Sequence, residues 1–437
     1  MDALELYYEM RGIIKAGDLE KMKEILDNDG LSYLSVWEDG YILLREACVK
    51  NHNHLAEYLL SKNAKINSDY AVVTPLQVAV MKNNKKLVKL LLDHGAKSYI
   101  NKNKTPLQIA VERKNVEMAK FLFEHKSVKK SFHELSNTPE HPTLHLAVLS
   151  NEYLMVKLLL DNGFNGNIND FEGSKPIHLA IKFKLMGILE LLLQFDVDVN
   201  AKNRLGCTPL FLTFILSYYR YTENQDLTNF VLDSQIVELL INYNADINMI
   251  YLNNCTPLRL AYTYTRRHFP NMFGREDNIR TIKVLITHIV KLKSQGSYVS
   301  ARNLREMSLI KEQIFIKHHK KCLKELIKLV DHKIPDTNIS LYDFITKNDN
   351  VLASCGKNER FYELDFMCRV LFRFYIYRTA LRISYTKGVR RHFLFEESVK
   401  VFEKNWPHAA NLLTNCLVHI FKNLNNNELR EFIWTFK

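Results

Sequence analysis

The sequence predicts an all-α protein: a solenoid of helix pairs joined by short hairpin loops, followed by a C-terminal helical domain. Three observations carry this expectation. The stretch Thr74-Pro75-Leu76-Gln77-Val78-Ala79-Val80 returns as Thr105-Pro106-Leu107-Gln108-Ile109-Ala110-Val111. A leucine-rich run follows, as in Leu87-Val88-Lys89-Leu90-Leu91-Leu92. A small residue also recurs in one register at Ala47, Ala79, Ala110, Ala147, Ala180 and Ala261, with Thr213 in the same role. A unit repeating roughly every 33 residues stacks on its neighbours and builds no closed core of its own.

Each element of the unit has a physical reason. Thr74 can cap a helix, and Pro75 suits the first helical position, where a missing N–H costs nothing. Leu76 and Ala79 face inward, and alanine lets the next repeat approach closely. Leu87, Leu90 and Leu91 form the apolar stripe of a second helix. Gly95 and Gly163 stand where a left-handed residue ends that helix. Turn-prone Asn67, Asn169, Asn200 and Asn248 precede the loop tips. A degenerate first copy surrounds Ala16-Gly17-Asp18-Leu19, with Ile13 at the alanine position. Eight pairs then fill residues 1–290, with insertions near Val128–His141 and Ser217–Ser234. The second insertion, opening with Ser217-Tyr218-Tyr219-Arg220-Tyr221, is either a contact site or a loop.

Composition bounds the function. The 437 residues are 47% hydrophobic, so a packed chain is expected. The start carries Asp2, Glu5 and Glu9 instead of a basic leader, and no apolar run reaches the ~20 residues of a membrane span. The expectation is a soluble intracellular protein with no membrane partner. The seven cysteines (Cys48, Cys207, Cys255, Cys322, Cys355, Cys368 and Cys416) are odd in number and contain no C-x-x-C pair, which argues for buried thiols over disulfides or zinc. Phosphate-loop, dinucleotide, nucleophile-elbow and zinc-helix motifs are absent from the sequence, so no catalytic residue, cofactor or metal is assigned. His145 and His178 occupy structural positions in the repeat register. His318 and His319 fall in a lysine-rich stretch and are expected to be solvated.

Almost all of the +12 net charge lies beyond residue 290. Leu304 to Lys333 reads as one helix with Leu323, Leu326, Ile327 and Val330 on its apolar face, closing the solenoid. Ile334-Pro335-Asp336 breaks it, and Ser340 to Lys347 starts a short helix. Cys368 to Ser384 reads as an arginine-rich helix. Its Arg373, Arg378 and Arg382, with Lys387, Arg390 and Arg391, form a candidate basic patch. Leu412 to Leu424 spaces apolar residues for one helix, and Asn425-Asn426-Asn427 can cap a second, Glu428 to Trp434.

The T-P-L-x-x-A pattern with its leucine-rich second helix resembles the ankyrin repeat. That resemblance implies partner binding at the hairpin tips and on the first-helix face. The tip residues it selects are Tyr70, Lys102, Asn103, Phe171, Glu172, Lys202, Arg204, Tyr251 and Asn253. The C-terminal order resembles the start of an F-box, with Leu412, Ile420, Phe421, Leu424 and Leu429 on matching positions. Leu413 stands in place of the usual proline and Asn415 in place of the usual acid. Leu417 and Trp434 complete the apolar set on these two helices. Together with the linking segment Leu341-Tyr342-Asp343-Phe344-Ile345, this is similar to the poxviral ankyrin proteins that end in a PRANC segment.

The resemblance implies three regions: an ankyrin array over 1–290, a basic linking region over 291–400 and an F-box-like segment over 401–437. It also implies an adaptor in the host cytoplasm, or nucleus, whose array holds a host protein while its last helices dock on the linker subunit of an SCF-type cullin–RING ubiquitin ligase. A stoichiometric decoy without ubiquitination is the alternative. Nucleic-acid binding through the basic C-terminal third is a third possibility.

Overall fold

The computed structural model describes residues 3–28, 40–68, 73–97, 104–125, 143–195, 197–224, 232–251, 255–263, 265–266, 276–334, 337–346, 370, 373–374, 376–405, 424, 426, 428–430 and 433. These residues are almost entirely helical. Among them only two isolated β-bridges occur, Tyr251 with Cys255 and Lys333 with Ser340. The chain divides into two compact units, Met1–Phe164 and Asn165–Lys437.

The first unit contains five helix pairs: α1 Ala3–Ala16 with α2 Leu19–Asn28, α3 Tyr41–Lys50 with α4 Asn53–Ser61, α5 Pro75–Met81 with α6 Lys85–Asp93, α7 Pro106–Glu112 with α8 Val116–Glu124, and α9 Thr143–Leu149 with α10 Tyr153–Asp161. The first helices pack in series, α1 on α3, α3 on α5, α5 on α7 and α7 on α9. The register alanines Ala47, Ala79, Ala110 and Ala147 are all buried at these contacts, as is Ile13.

Thr74 caps α5 as expected. Its Oγ1 accepts from the Gln77 N–H at 3.1 Å, and Gln77 Oε1 accepts from the Thr74 N–H at 2.6 Å. The same reciprocal box closes at Thr105 and Gln108. Gln77 Nε2 also donates to the Lys104 carbonyl, which ties its repeat to the next loop. The turn between paired helices is left-handed at Asn51, Asn83, Lys114 and Asn151, four residues after each register alanine. Asparagine tolerates that conformation better than other side-chain-bearing residues. Gly95 and Gly163 end their second helices at φ 86° and 82°. In α6, Leu87, Val88, Leu91 and Leu92 are buried. Each contributes about 1.5–3 kcal/mol of transfer free energy.

The second unit continues the pattern with α11 Pro176–Lys182 and α12 Met186–Gln194, α13 Pro209–Asn224 and α14 Ser234–Asn242, and α15 Pro257–Thr263 and α16 Glu276–Ser294. Among the described residues eight pairs therefore precede residue 295. The insertion beginning at Ser217 is helical as far as Asn224, where α13 ends, and residues 225–231 lie outside the described residues.

Beyond residue 290 the structure departs from the sequence expectation in three places. The single helix expected over Leu304–Lys333 is two, α17 Ala301–Leu309 and α18 Gln313–Asp331. They stack as a ninth pair, α17 on α15 and α18 on α16. Ser300 caps α17. The apolar face of α18 is Phe315, Cys322, Leu326 and Leu329, whereas Leu323, Ile327 and Val330 are exposed at 45%, 66% and 51%. A helix has room for a second apolar stripe, and packing on α16 selected the other one.

The third departure lies in the arginine-rich segment. Ile376 and Tyr377 form a turn, and a new helix α20, Arg378–Asn405, starts after it. The short α19, Leu341–Thr346, follows the expected start and packs against both α18 and α20. The 28-residue α20 crosses residue 400 without a break.

Asparagine bridges link neighbouring loops. In the first unit Asn67 accepts from the Lys97 N–H at 2.8 Å and donates to the Gly95 carbonyl at 3.0 Å. In the second, Asn200 accepts from Asp246 N–H and Asn248 from Ser300 N–H, at 2.7 and 2.8 Å. The residue that bridges to Asp198 is Asn167, at 2.7 Å, two positions before the turn-prone Asn169. Two asparagines stand two positions apart there, and only the loop geometry separates them.

Candidate functional site

Two surfaces of the second unit bear on function. The first is its row of hairpin tips. Asp170 and Ser174 close one tip, where the Asp170 N–H donates to the Ser174 carbonyl at 2.9 Å and Asp170 Oδ1 accepts from the Ser174 N–H at 2.7 Å. Asn203 and Cys207 repeat that arrangement in the next tip, with both the Leu205 and Cys207 N–H groups donating to Asn203 Oδ1 at 3.0 Å. Tyr251 and Cys255 exchange two backbone bonds in the third.

Neighbouring tips touch. Gly173 has φ 71°, and a Cβ placed there would lie 3.1 Å from the Arg204 Cβ, so the Arg204 stem needs a glycine beside it. Phe171 is 70% exposed, and Glu172, Lys202 and Arg204 are also exposed. Tyr251 is half-buried with its ring 5.5 Å from that of Phe211. Tyr70, Lys102, Asn103 and Asn253 lie outside the described residues. The selection by sequence missed Leu205, 76% exposed, and Ile250, 49% exposed. Leu205 sits between Arg204 and Gly206 in a tip already recognised, and its apolar side chain there was the available signal.

The second surface is where α20 meets the second helices α12 and α14. Burial forces Phe195, 5% exposed, to find partners, and it takes two cations. The guanidinium carbon of Arg390 lies over its ring at 3.8 Å and that of Arg430 at 4.3 Å from the centroid. Arg390 also donates to Gln194 Oε1 at 3.4 Å, and Lys387 lies over the Tyr243 ring at 4.6 Å. Arg382 pairs with Glu190 at 3.7 Å. Arg391 is 4% exposed and donates to Asn426 Oδ1 at 3.0 Å and to the Leu424 carbonyl. Leu394 and Leu429 are buried together, with Val399, Leu424 and Ile433 packed around them.

Three of the five patch members with described side chains therefore face the chain's own groups, and the side chain of Arg378 lies outside the described residues. Arg373 is exposed, Arg382 is exposed but paired, and Lys387, Arg390 and Arg391 hold the chain's own groups. Of the docking set, Leu429 is fully buried and Leu424 half-buried. Leu412, Leu417, Ile420, Phe421 and Trp434 lie outside the described residues.

His178 and His318 are built into the packing of the second unit. His178 repeats the role of Gln77: its Nδ1 accepts from the Lys175 N–H at 3.1 Å and its Nε2 donates to the Ala201 carbonyl at 3.1 Å. Burial holds its pKa below the ordinary value. His318 is not solvated as the sequence suggested. Its Nε2 meets Thr287 Oγ1 at 2.9 Å and Cys322 Sγ at 3.4 Å, and burial pushes its pKa down to about 4. Among the described residues no cluster of His, Cys, Asp or Glu could hold a metal, and no helix is long and apolar enough to cross a membrane.

The reciprocal caps, left-handed turns and bridging asparagines recur in one order, and residues 44–133 and 144–219 match the family described as ankyrin repeats, three copies. These segments are ankyrin repeats. The chain is 25% identical over 419 residues to the ankyrin repeat protein FPV031 of Fowlpox virus (strain NVSL), across 90% of this chain and 92% of that one. It is 36% identical over 94 residues to the fowlpox ankyrin repeat protein FPV219, across 22% of this chain and 20% of the other. Among solved structures it is similar to the ankyrin repeat domain of Bcl-3, at 23% identity and a TM-score of 0.42, covering 50% of this chain and 92% of that one. The ankyrin scaffold presents surfaces to protein partners, and the similarity to FPV031 runs over most of both chains.

Proposed function

We propose that the protein is a viral adaptor whose ankyrin surface captures a host protein and whose last helices recruit an SCF-type cullin–RING ubiquitin ligase in the host cytoplasm. The observation that carries the capture half is the tip row. Phe171, Leu205 and Ile250 are exposed apolar side chains on tips held rigid by their own hydrogen bonds. A large exposed ring such as Phe171, on a pre-organised frame, loses little conformational freedom when a partner covers it. Likeness to a fowlpox ankyrin repeat protein over nine-tenths of the chain supports a viral setting. The F-box-like order of Leu412, Ile420, Phe421 and Leu424 supports the ligase half.

The test is affinity capture from host cells with full-length protein, Phe421→Asp, and the tip pair Phe171→Ala with Leu205→Ala. The expected outcome is that F421D loses linker and cullin while keeping the target, and the tip pair does the reverse. Unchanged ligase capture by F421D refutes the ligase half.

A decoy that blocks its target without ubiquitination is the second reading, and one observation favours it. Leu429, which falls on an F-box position, is committed to Leu394 inside the fold. Under the decoy reading the target's abundance stays constant while its signalling stops.

A further inference from the structure

A cleft of about 750 Å³ opens in the second unit between α14, α16, α18 and the turn that precedes α20. Its size is that of a small-molecule site. Lys283 and Lys291 reach it from one face of α16, and Lys317 and Lys321 from one face of the neighbouring α18. Thr287 and His318 lie between them and bond to each other at 2.9 Å. Two acids line the cleft as well. Glu238 is taken by Arg280 at 2.9 Å, and Glu276 lies in the first turn of α16. Among the described residues none of the four lysines has a carboxylate within ion-pair distance.

Such an arrangement is costly when empty. Lys317 and Lys321, four apart on α18, repel each other, and Lys283 and Lys291, two turns apart on α16, add their charge to the same cleft. Lys291 is the most enclosed of the four, and burial together with nearby Lys387 lowers its pKa to about 8. His318 is held neutral by burial and by Lys283 and Lys321 nearby, so it can still accept or donate a hydrogen bond. An anion bearing several acceptor oxygens relieves the repulsion and pairs the lysines at once.

We infer that the cleft between α16 and α18 binds a small, multiply phosphorylated molecule through Lys283, Lys291, Lys317 and Lys321. The shared chemistry is a cluster of phosphates, which either a phosphorylated cyclitol or a nucleotide can supply.

The experiment titrates full-length protein with inositol hexakisphosphate, ATP and tripolyphosphate at low ionic strength, by calorimetry and thermal unfolding. Saturable one-to-one binding with a raised Tm is expected, weakening as salt is added. Tighter binding of the cyclitol, or of ATP over tripolyphosphate, tells the two sources apart. The double reversal Lys283→Glu with Lys321→Glu should weaken binding about tenfold or more, the loss of two partly exposed ion pairs. Lys293→Glu with Lys320→Glu makes the same change of net charge on the same helices outside the cleft, and should leave binding within about twofold. No saturable binding by any of the three anions overturns the inference, and so does equal loss in both double variants. Circular dichroism and Tm of the unliganded variants establish that each is folded before its binding is scored.

Discussion

Replacing Phe195 by leucine tests whether its paired arginines hold the C-terminal helices against the repeats. The substitution keeps an apolar side chain at a site only 5% exposed, so most of the burial survives. What it removes is the ring under the guanidinium groups of Arg390 and Arg430, at 3.8 and 4.3 Å. Arg390 is half-buried and Arg430 is 8% exposed. Cation–π pairs are worth ~0.5–1 kcal/mol where exposed and ~2 where desolvated, so the two together amount to about 1.5–3 kcal/mol. The change of shape adds less than about 1.5 kcal/mol. At 1.4 kcal/mol per decade, the ring contribution alone shifts the docking equilibrium of α20 by about 10- to 150-fold.

Native-state hydrogen exchange with peptide resolution is the assay. Protection should fall in peptides covering residues 386–398 and 424–433 while α12 keeps its own, and Phe195→Tyr should restore most of the loss. Equal loss of protection in α12 would show that Phe195 is merely a core residue of the repeat. No change in either place would refute the clasp.

Three further outcomes follow from the same contacts. Gln77→Ala leaves the Thr74 N–H and the Lys104 carbonyl without their side-chain partner, and should cost about 2–4 kcal/mol in urea unfolding, with Gln77→His losing less because His178 already fills that role in another repeat. Asn200→Ala removes the bridge to Asp246 and should cost about 1–2 kcal/mol, whereas Asn169→Ala, one loop away and off the ladder, should cost under about 0.5. Acid should destabilise the second unit before carboxylates titrate. His288 and His318 are held neutral when folded, at about 3 and 4 against an ordinary 6.5, so below that value the unfolded chain binds more protons. Their contribution is whole above pH 6.5 and is lost as pH falls toward 4. Each removes up to ~1.4 kcal/mol per pH unit in that window, and His288→Leu should flatten the Tm profile between about pH 6 and 4.

The repeats were legible because every signal in them is local. Thr74, Pro75 and Gln77 meet within one helical turn, and the register alanines repeat at the spacing of the unit that buries them. The tip residues Phe171, Glu172, Lys202 and Arg204 were legible for the same reason, since a hairpin tip is placed by the residues beside it. Asn167 and Asn169 were not separable, because either one can reach the neighbouring loop until its backbone is known.

Past residue 290 the sequence by itself determined that the chain is helical, basic and broken near Pro335, and little more. Which stripe of α18 is buried was decided by α16, and only one of the four apolar residues picked from the pattern, Leu326, lies inside. The arginines of α20 look the same in sequence whether they face solvent or an aromatic ring. Arg390 reaches Gln194 and Phe195 from nearly two hundred residues away. Such a pairing leaves no periodic trace, and only the fold turns a run of positive charge into the contacts that close this unit.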